Sequence, residues 1–280
     1  MLGIIHFSDI HIEDCNHDIL FFESEFKEVF KTLDKVSKVL VIVTGDIVNK
    51  GTKEQFEIAT DFFGEIKSFL EEKSVEFIFI PGNHDCDLNP KKIENQMRDI
   101  LLKKIIHRKE ELDNETIKVC CNPLMEYFKF ENQMSLNSEI ETIFEDELLK
   151  IKRLKIKEEL YIKFICLNTS WMSRLEEVPG ELFFPINKYL EKIEESEGDI
   201  VFTLFHHPSR WDHPDDAMMF DQSVEEFSDF IFSGHEHNSD VFSKVGIKNT
   251  TVYFLSDALN KVDCIERSAF QIIQFDFDNS

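Results

Sequence analysis

Short runs of Ile, Val and Phe alternate along the chain with longer stretches in which apolar residues recur three or four positions apart. That alternation predicts strands interleaved with amphipathic helices, an α/β layer architecture without internal repeats. Strands are expected at Ile4 to Phe7, Val39 to Val43, Phe77 to Ile80, Tyr161 to Leu167, Ile200 to Phe205, Asp229 to Phe232, Thr251 to Leu255 and Phe270 to Phe277. Between Leu20 and Lys38 the positions Phe22, Phe26, Val29, Phe30, Leu33 and Val36 lie on one helical face. Thr52 and Gln55 have capping-box spacing ahead of Phe56, Ala59, Phe63, Ile66 and Leu70, which marks a second helix.

The alternation breaks between about Leu88 and Lys157, which reads as a partly helical insertion (residues 88–157) in a single domain of residues 1–280. Its first part, Lys91 to Lys109, carries seven Lys/Arg against two acids, with Ile93, Met97, Ile100, Leu101 and Ile105 as an apolar helical stripe. Such a helix serves either as a solvated face packed on the domain or as an approach for a polyanion. Lys150 to Lys157 alternates Lys or Arg with Ile or Leu, the pattern of an edge strand guarded by cations.

Composition narrows the class. The formal charge of -24 over 280 residues repels polyanions, so nucleic-acid binding through overall charge is excluded and any such contact needs a local cation patch or a metal. Phe accounts for 28 of the aromatics against 4 Tyr and 2 Trp, which points to core filling. No apolar run approaches the roughly 20 residues that cross a bilayer. The cysteines Cys15, Cys86, Cys120, Cys121, Cys166 and Cys264 are scattered, without C-x-x-C pairs, and the start of the chain leaves no room for a signal peptide. Reduced thiols and a cytoplasmic location are the expectation.

Chemistry is concentrated where strands stop. Asp9 and His11 follow the first strand, Asp46 ends Val43-Thr44-Gly45-Asp46, and Asn83-His84-Asp85 follows Pro81-Gly82. His206-His207-Pro208 and Gly234-His235-Glu236-His237 follow two later strands. In open α/β sheets ligands bind beyond the carboxyl ends of strands, so these groups are able to converge. Each alone is an ordinary turn. Together, the imidazoles of His11, His206, His235 and His237, the carboxylates of Asp9 and Asp46 and the amide oxygen of Asn83 form a mixed N/O donor set suited to Mn, Fe, Zn, Co or Ni. Seven donors exceed the needs of one ion, whereas two ions sharing a carboxylate use them all. The Cys and Ser residues show no nucleophile-base spacing. His6, His17, His107 and His213 have no such context and read as core or solvated. Trp171 and Trp211, with Arg174 and Arg210, flank these motifs and are candidates for contact with a base and phosphate, or for loop packing.

The ordered set Asp9-Ile10-His11, Gly45-Asp46, Gly82-Asn83-His84-Asp85, His206 and Gly234-His235-Glu236-His237 resembles the calcineurin-like metallophosphoesterase superfamily over residues 9–237. The resemblance implies a two-sheet β-sandwich flanked by helices. It also implies that Asp9, His11, Asp46 and His237 hold one metal and Asp46, Asn83, His206 and His235 the other, with Asp46 bridging. His206 is the ligand by the family's His-x-Pro pattern, and a one-residue shift would give that role to His207. His84 would stabilise or protonate the leaving oxygen, with Asp85 helping to orient it, or would only position Asn83. Two divalent or transition ions, Mn or Fe/Zn, would supply hydroxide near neutral pH for in-line attack on a phosphoester. The expected activity is hydrolysis of a nucleotide or nucleic-acid phosphodiester, a nuclease among the candidates. A phosphomonoesterase and a metal-retaining binding module are the alternatives. Residues His206 to Trp211 with Gly234 to His237 also resemble phosphoesterase modules at the front of bacterial NTPase-linked defence proteins, which implies fusion to or association with an NTPase module.

Overall fold

The computed structural model describes residues 1–13, 23–107, 112–246, 249–259 and 269–277. Cys15, His17, Phe22, Arg108, Lys109 and Cys264 lie outside the described residues. Within them, the order is β1 (Leu2–Phe7), α1 (Glu23–Phe30), β2 (Lys38–Thr44), α2 (Lys53–Phe69), β3 (Ser74–Ile80), α3 (Ile93–Ile106), α4 (Asn114–Cys121), α5 (Met125–Met134), β4 (Glu141–Glu145), β5 (Leu149–Lys157), β6 (Leu160–Leu167), α6 (Leu190–Glu195), β7 (Ile200–Leu204), α7 (Pro214–Phe227), β8 (Phe230–Ser233), β9 (Asp240–Val245), β10 (Thr250–Leu255) and β11 (Gln271–Phe275).

The strands form two mixed sheets, β11-β1-β2-β3 and β4-β5-β6-β7-β8-β10-β9. β1, β2 and β3 run parallel, as do β6, β7, β8 and β10. Strand periodicity explains the layering. Ile4, Leu40, Ile42 and Ile78 face the second sheet's Phe164, Phe202, Leu204 and Phe232. Their neighbours Ile5, Val41, Val43 and Phe79 face Phe26 and Phe30 of α1, Phe56 and Phe63 of α2 and Phe130 of α5. A sheet covered on both faces requires near-continuous apolar strands, as the runs in β1 to β3 show. Phe63 and Phe130 meet Phe79 edge to face at 4.9 and 5.0 Å, so the Phe excess does fill core.

Several expectations need correction. The first helix stops at Phe30, a short 3-10 turn carries Lys31–Leu33, and Lys38 opens β2 because it is in register with Leu2. The stripe of α3 is displaced. Ile93, Met97 and Ile100 are 68%, 66% and 62% exposed, while Arg98, Leu102 and Ile105 form the buried face. Arg98 donates to the carbonyls of Cys120 (2.6 Å), Ser173 (2.8 Å) and Trp171 (2.8 Å), so its guanidinium satisfies backbone acceptors that no apolar residue could serve. The Lys150 to Lys157 segment is not an edge: β5 pairs with β4 on one side and β6 on the other.

Two of the lysines of β5 are accommodated by Glu131 of α5, which accepts from Lys150 Nζ at 2.7 Å and Lys152 Nζ at 2.8 Å. Burial alone would raise the Glu131 carboxyl, but the two ammonium groups more than offset it and hold it below its ordinary 4.5. Glu131→Ala leaves two cations without their buried partner, and should cost about 3 to 5 kcal/mol in urea denaturation near neutral pH. Because the folded-state value is depressed, this contribution is present above 4.5 and is lost as pH falls through the folded value. The gap between wild type and variant should therefore close in acid; a gap independent of pH would show that lost packing, not charge, sets the cost.

Candidate metal centre

The segment after β1 and the segment after β2 run side by side. Asp9 N donates to Gly45 O, and Ile10 N and His11 N both donate to Asp46 O, at 3.1, 2.8 and 3.0 Å. This pairing sets Asp9, His11 and Asp46 together. The turn after β3 closes on them through Gly82, where a Cβ would fall on Asp46, and the turn after β8 through Gly234, where a Cβ would fall on Ser8 Oγ. Glycine is needed at both because the backbones touch carboxylate and hydroxyl directly. Of the six non-glycine residues with positive φ among those described, five are Asp9 (52°), His11 (50°), Asp46 (53°), His235 (71°) and His237 (48°). Left-handed backbone at such residues costs energy, and here it gathers at one site.

Each carboxylate has one oxygen occupied and one facing inward. Asp9 Oδ2 accepts from Ser8 Oγ at 2.5 Å and His235 N at 3.0 Å, leaving Oδ1 3.1 Å from His237 Nε2 and 3.9 Å from His11 Nε2. Asp46 Oδ1 accepts from His84 N at 2.8 Å, leaving Oδ2 3.4 Å from His206 Nε2 and 3.9 Å from His11 Nε2. His206 Nδ1 donates to Thr44 O at 2.6 Å, which aims Nε2 at the centre. There it forms a near-equilateral triangle with Asn83 Oδ1 (3.1 Å) and His235 Nδ1 (3.2 Å), whose own separation is 3.2 Å.

These spacings fit a cation. Two donors each about 2.1 Å from one ion lie roughly 3 to 3.5 Å apart. The mixed carboxylate, imidazole and amide set suits a divalent or transition metal. His11 Nδ1 is buried with no hydrogen-bond partner, and its Nε2 stands too far from either carboxylate to bond without something between them. Without metal the field is strong. Burial opposes charge on His206, yet Asp46 and Asp9 push it up to about 10, so a proton sits where a cation would compensate the carboxylates. Burial, with His207 and His206 adjacent, drives His235 far below the usual histidine range and keeps it neutral, the form that ligates.

His207 is buried beside this centre with both ring nitrogens taken, Nδ1 by Thr169 Oγ1 and Nε2 by Glu177 Oε2, each at 3.2 Å. His206, not His207, faces Asp46 and Asn83. His84 Nδ1 donates to Asn49 O at 3.1 Å, and its ring meets His11 edge to face at 4.7 Å. Asp85 is buried and accepts from Gly82 N (2.8 Å) and Val48 N (3.0 Å); burial and then Asp46 raise it to about 7. These contacts tie Asp85 to the Gly82 turn, while the carbonyl of Asn49 anchors the His84 ring. Motif spacing alone does not mark Ser8, Thr44, Asn49, Thr169 or Glu177. Ser8 and Thr44 adjoin the motifs in sequence, and nothing local marks Asn49, Thr169 or Glu177.

The flanking residues divide. Trp171 is fully buried and donates Nε1–H to Phe183 O at 2.8 Å, so it packs rather than stacks on a ligand. Trp211 sets its ring edge-on 4.3 Å from His235 and donates to Glu236 Oε1, which Arg210 also engages. Arg174 is ion-paired with Glu181. His6 is core, donor or acceptor to Thr44 Oγ1 at 2.9 Å and pushed by burial down to about 4, while His213 accepts from Asp215 N at the start of α7. Cys86, Cys120, Cys121 and Cys166 are free and buried, and burial pushes the Cys166 thiol up to about 12, leaving no thiolate nucleophile there.

Fold and donor set define a metallophosphoesterase. The chain belongs to the calcineurin-like phosphoesterase family, whose family model matches residues 2–239. Among the described residues, Asp9, His11 and His237, and likewise Asp9, Asp46 and His206, form groups that could hold a metal ion. The chain is 35% identical over 99 residues to the uncharacterised protein R555 of Acanthamoeba polyphaga mimivirus, a match covering 31% of this chain and 6% of that protein. Similar solved structures include the NAD nucleotidase of Haemophilus influenzae (14% identity, TM-score 0.45, 92% of this chain and 45% of that one). Another is the sulfate thiohydrolase SoxB of Thermus thermophilus (12% identity, TM-score 0.44, 92% and 52%). The chain thus spans about half the length of these two structures and a small part of the viral relative. Among the described residues no helix is long and apolar enough to cross a membrane.

Proposed function

We propose that this chain is a dinuclear phosphodiesterase acting on a nucleotide-type diester. The observation that carries the dinuclear reading is the position of Asp46, whose Oδ2 lies between His11 at 3.9 Å and His206 at 3.4 Å. On one side Asp9, His11 and His237 would hold one ion; on the other Asn83, His206 and His235 would hold the second. When bound, such ions supply hydroxide near neutral pH and neutralise phosphoryl oxygens. The residues of the chain do the rest. Ser8 Oγ, His235 N and His84 N fix the outward carboxylate oxygens, so the inward ones hold their orientation. As the new O–P bond forms and the bond to the leaving alcohol breaks, the departing oxygen takes a proton from His84 Nε2, whose ring is set by Nδ1–H donation to Asn49 O. Asp85, through Gly82 N and Val48 N, keeps that turn in place.

A diester is favoured because Arg210, the cation next to Trp211 at the His235 side of the centre, is paired with Glu236, which leaves little cationic charge there for a dianionic monoester. A small substrate is favoured over a long nucleic acid because three cations of α3 and the residue before it are already engaged: Lys103 pairs with Asp99 at 2.9 Å, Lys92 pairs with Asp87, and Arg98 is buried. The test is hydrolysis of bis(p-nitrophenyl) phosphate against p-nitrophenyl phosphate by protein reconstituted with Mn, Zn or Fe, with bound metal counted. The expected result is about two ions per chain and kcat/KM at least about tenfold higher for the diester. A monoester preference would establish a phosphomonoesterase, and metal uptake without turnover of either would establish a binding module.

A further inference from the structure

Beside the metal centre lies a cleft of about 450 Å3, bordered by Asn83 and His84 on one side and Lys50, Leu88, Pro90, Arg174 and Leu175 on the others. A second cleft of about 490 Å3 continues beyond it and shares Leu88, Pro90, Arg174 and Leu175. The first volume falls within the roughly 300 to 1,000 Å3 of small-molecule sites. His84 places this cleft on the side of the departing oxygen.

We infer that the cleft is a leaving-group subsite for a nucleoside-sized alcohol carrying a second anionic group, held by the Lys50 ammonium and the Arg174 guanidinium. This rests on the phosphodiesterase reading, which makes His84 the donor to the leaving oxygen. Two features of the wall carry it. Leu88, Pro90 and Leu175 offer an apolar surface to a flat ring, and Leu175 is 66% exposed, a large apolar side chain left facing solvent at the rim. The wall is also cationic in a chain of charge -24. Lys50 is exposed and makes no ion pair among the described residues. Arg174 has five N–H donors, and the Glu181 carboxylate occupies only part of them. Asp87, the acid in the wall, is already neutralised by Lys92. An anion is therefore attracted at this place although the molecule as a whole repels it.

The probe is adenosine 3′,5′-bisphosphate, titrated by calorimetry into the metal-loaded protein, with inorganic phosphate as the reference. One phosphate of the bisphosphate addresses the metal centre, and the nucleoside with its other phosphate addresses the cleft. Wild type should bind the bisphosphate more tightly than inorganic phosphate. Lys50→Gln and Arg174→Gln should each weaken the bisphosphate about tenfold while leaving inorganic phosphate within about twofold. Lys50 is exposed, so its variant tests the idea without disturbing the fold. Bisphosphate that binds no better than inorganic phosphate, or equally well to wild type and Lys50→Gln, overturns the subsite. Loss of binding in Lys50→Gln upholds it even where wild type cleaves no diester; that second failure would count against the phosphodiesterase reading alone.

Discussion

Asp46→Asn is expected to lower the metal content of reconstituted protein from about two ions to one or fewer and to slow diester hydrolysis about a thousandfold or more. The reason lies in what the inward oxygen does. Asp46 Oδ2 faces both His11 at 3.9 Å and His206 at 3.4 Å, so an amide there would remove a negative charge from both proposed donor sets at once. Residues that only support a ligand typically cost 10- to 100-fold when lost, and a carboxylate common to two sites must exceed that. Ser8→Ala gives the comparison, since Ser8 touches Asp9 Oδ2 and not the inward oxygen; it should fall in the roughly 10- to 100-fold range. The metal-free protein should report the same charge. Asp46 is a principal reason that His206 is held up near 10 against the opposing effect of burial, so the Asn variant should lose the His206 imidazolium at a lower pH, visible by NMR. Metal stoichiometry and single-turnover rates decide the matter. Unchanged values for both would remove Asp46 from between the two sets.

The site was more legible in the sequence than the periphery, for a physical reason. Chemistry at strand ends needs particular side chains at particular steps, and a buried parallel sheet announces its strands as apolar runs, so Asp9, Asp46, Asn83, His206 and His235 could be placed from local text. β9 and β4 could not. Every residue of β9 is exposed, and four of the five residues of β4 are, so neither strand carries an alternating code. The error at α3 has a different origin. Counting Ile and Met as inward and Arg as outward fails when one guanidinium answers three carbonyls from α4 and the 171–173 segment, contacts 22 to 75 residues away in sequence. β5 misled in the same way, because the acid that admits Lys150 and Lys152 to the interior is Glu131, on a helix read only as part of an insertion. Glu177 is the same case at the centre itself: its bond to His207 gives that ring a fixed partner and separates it from its neighbour His206. Long-range satisfaction of buried polar groups is what local periodicity cannot express.

His84→Gln should retain metal yet slow poor leaving groups far more than good ones. The ring stands close to His11 and Asp46, with ligand atoms within 4.8 Å, but its Nδ1 is turned to Asn49 O and it is not part of the triangle of Asn83, His206 and His235. Its backbone N–H holds Asp46 Oδ1, an interaction that glutamine preserves. Its Nδ1–H is committed to Asn49 O, so the group free to act is Nε2. Proton donation by a positioned side chain contributes about 10²- to 10⁴-fold when the departing alkoxide needs it. A dinucleotide, leaving as a ribose alkoxide, should therefore lose about that factor, whereas a p-nitrophenyl ester, whose phenolate leaves unaided, should lose less than about tenfold. A plot of log kcat/KM against leaving-group pKa would be nearly flat for wild type and steep for the variant. His235→Gln is the contrasting case, because it removes a donor from the triangle with Asn83 and His206 and should reduce metal content and all substrates together. If His84→Gln instead lowers every substrate by the same factor with metal intact, the ring positions Asn83 and its turn, and the proton for the leaving oxygen comes from solvent.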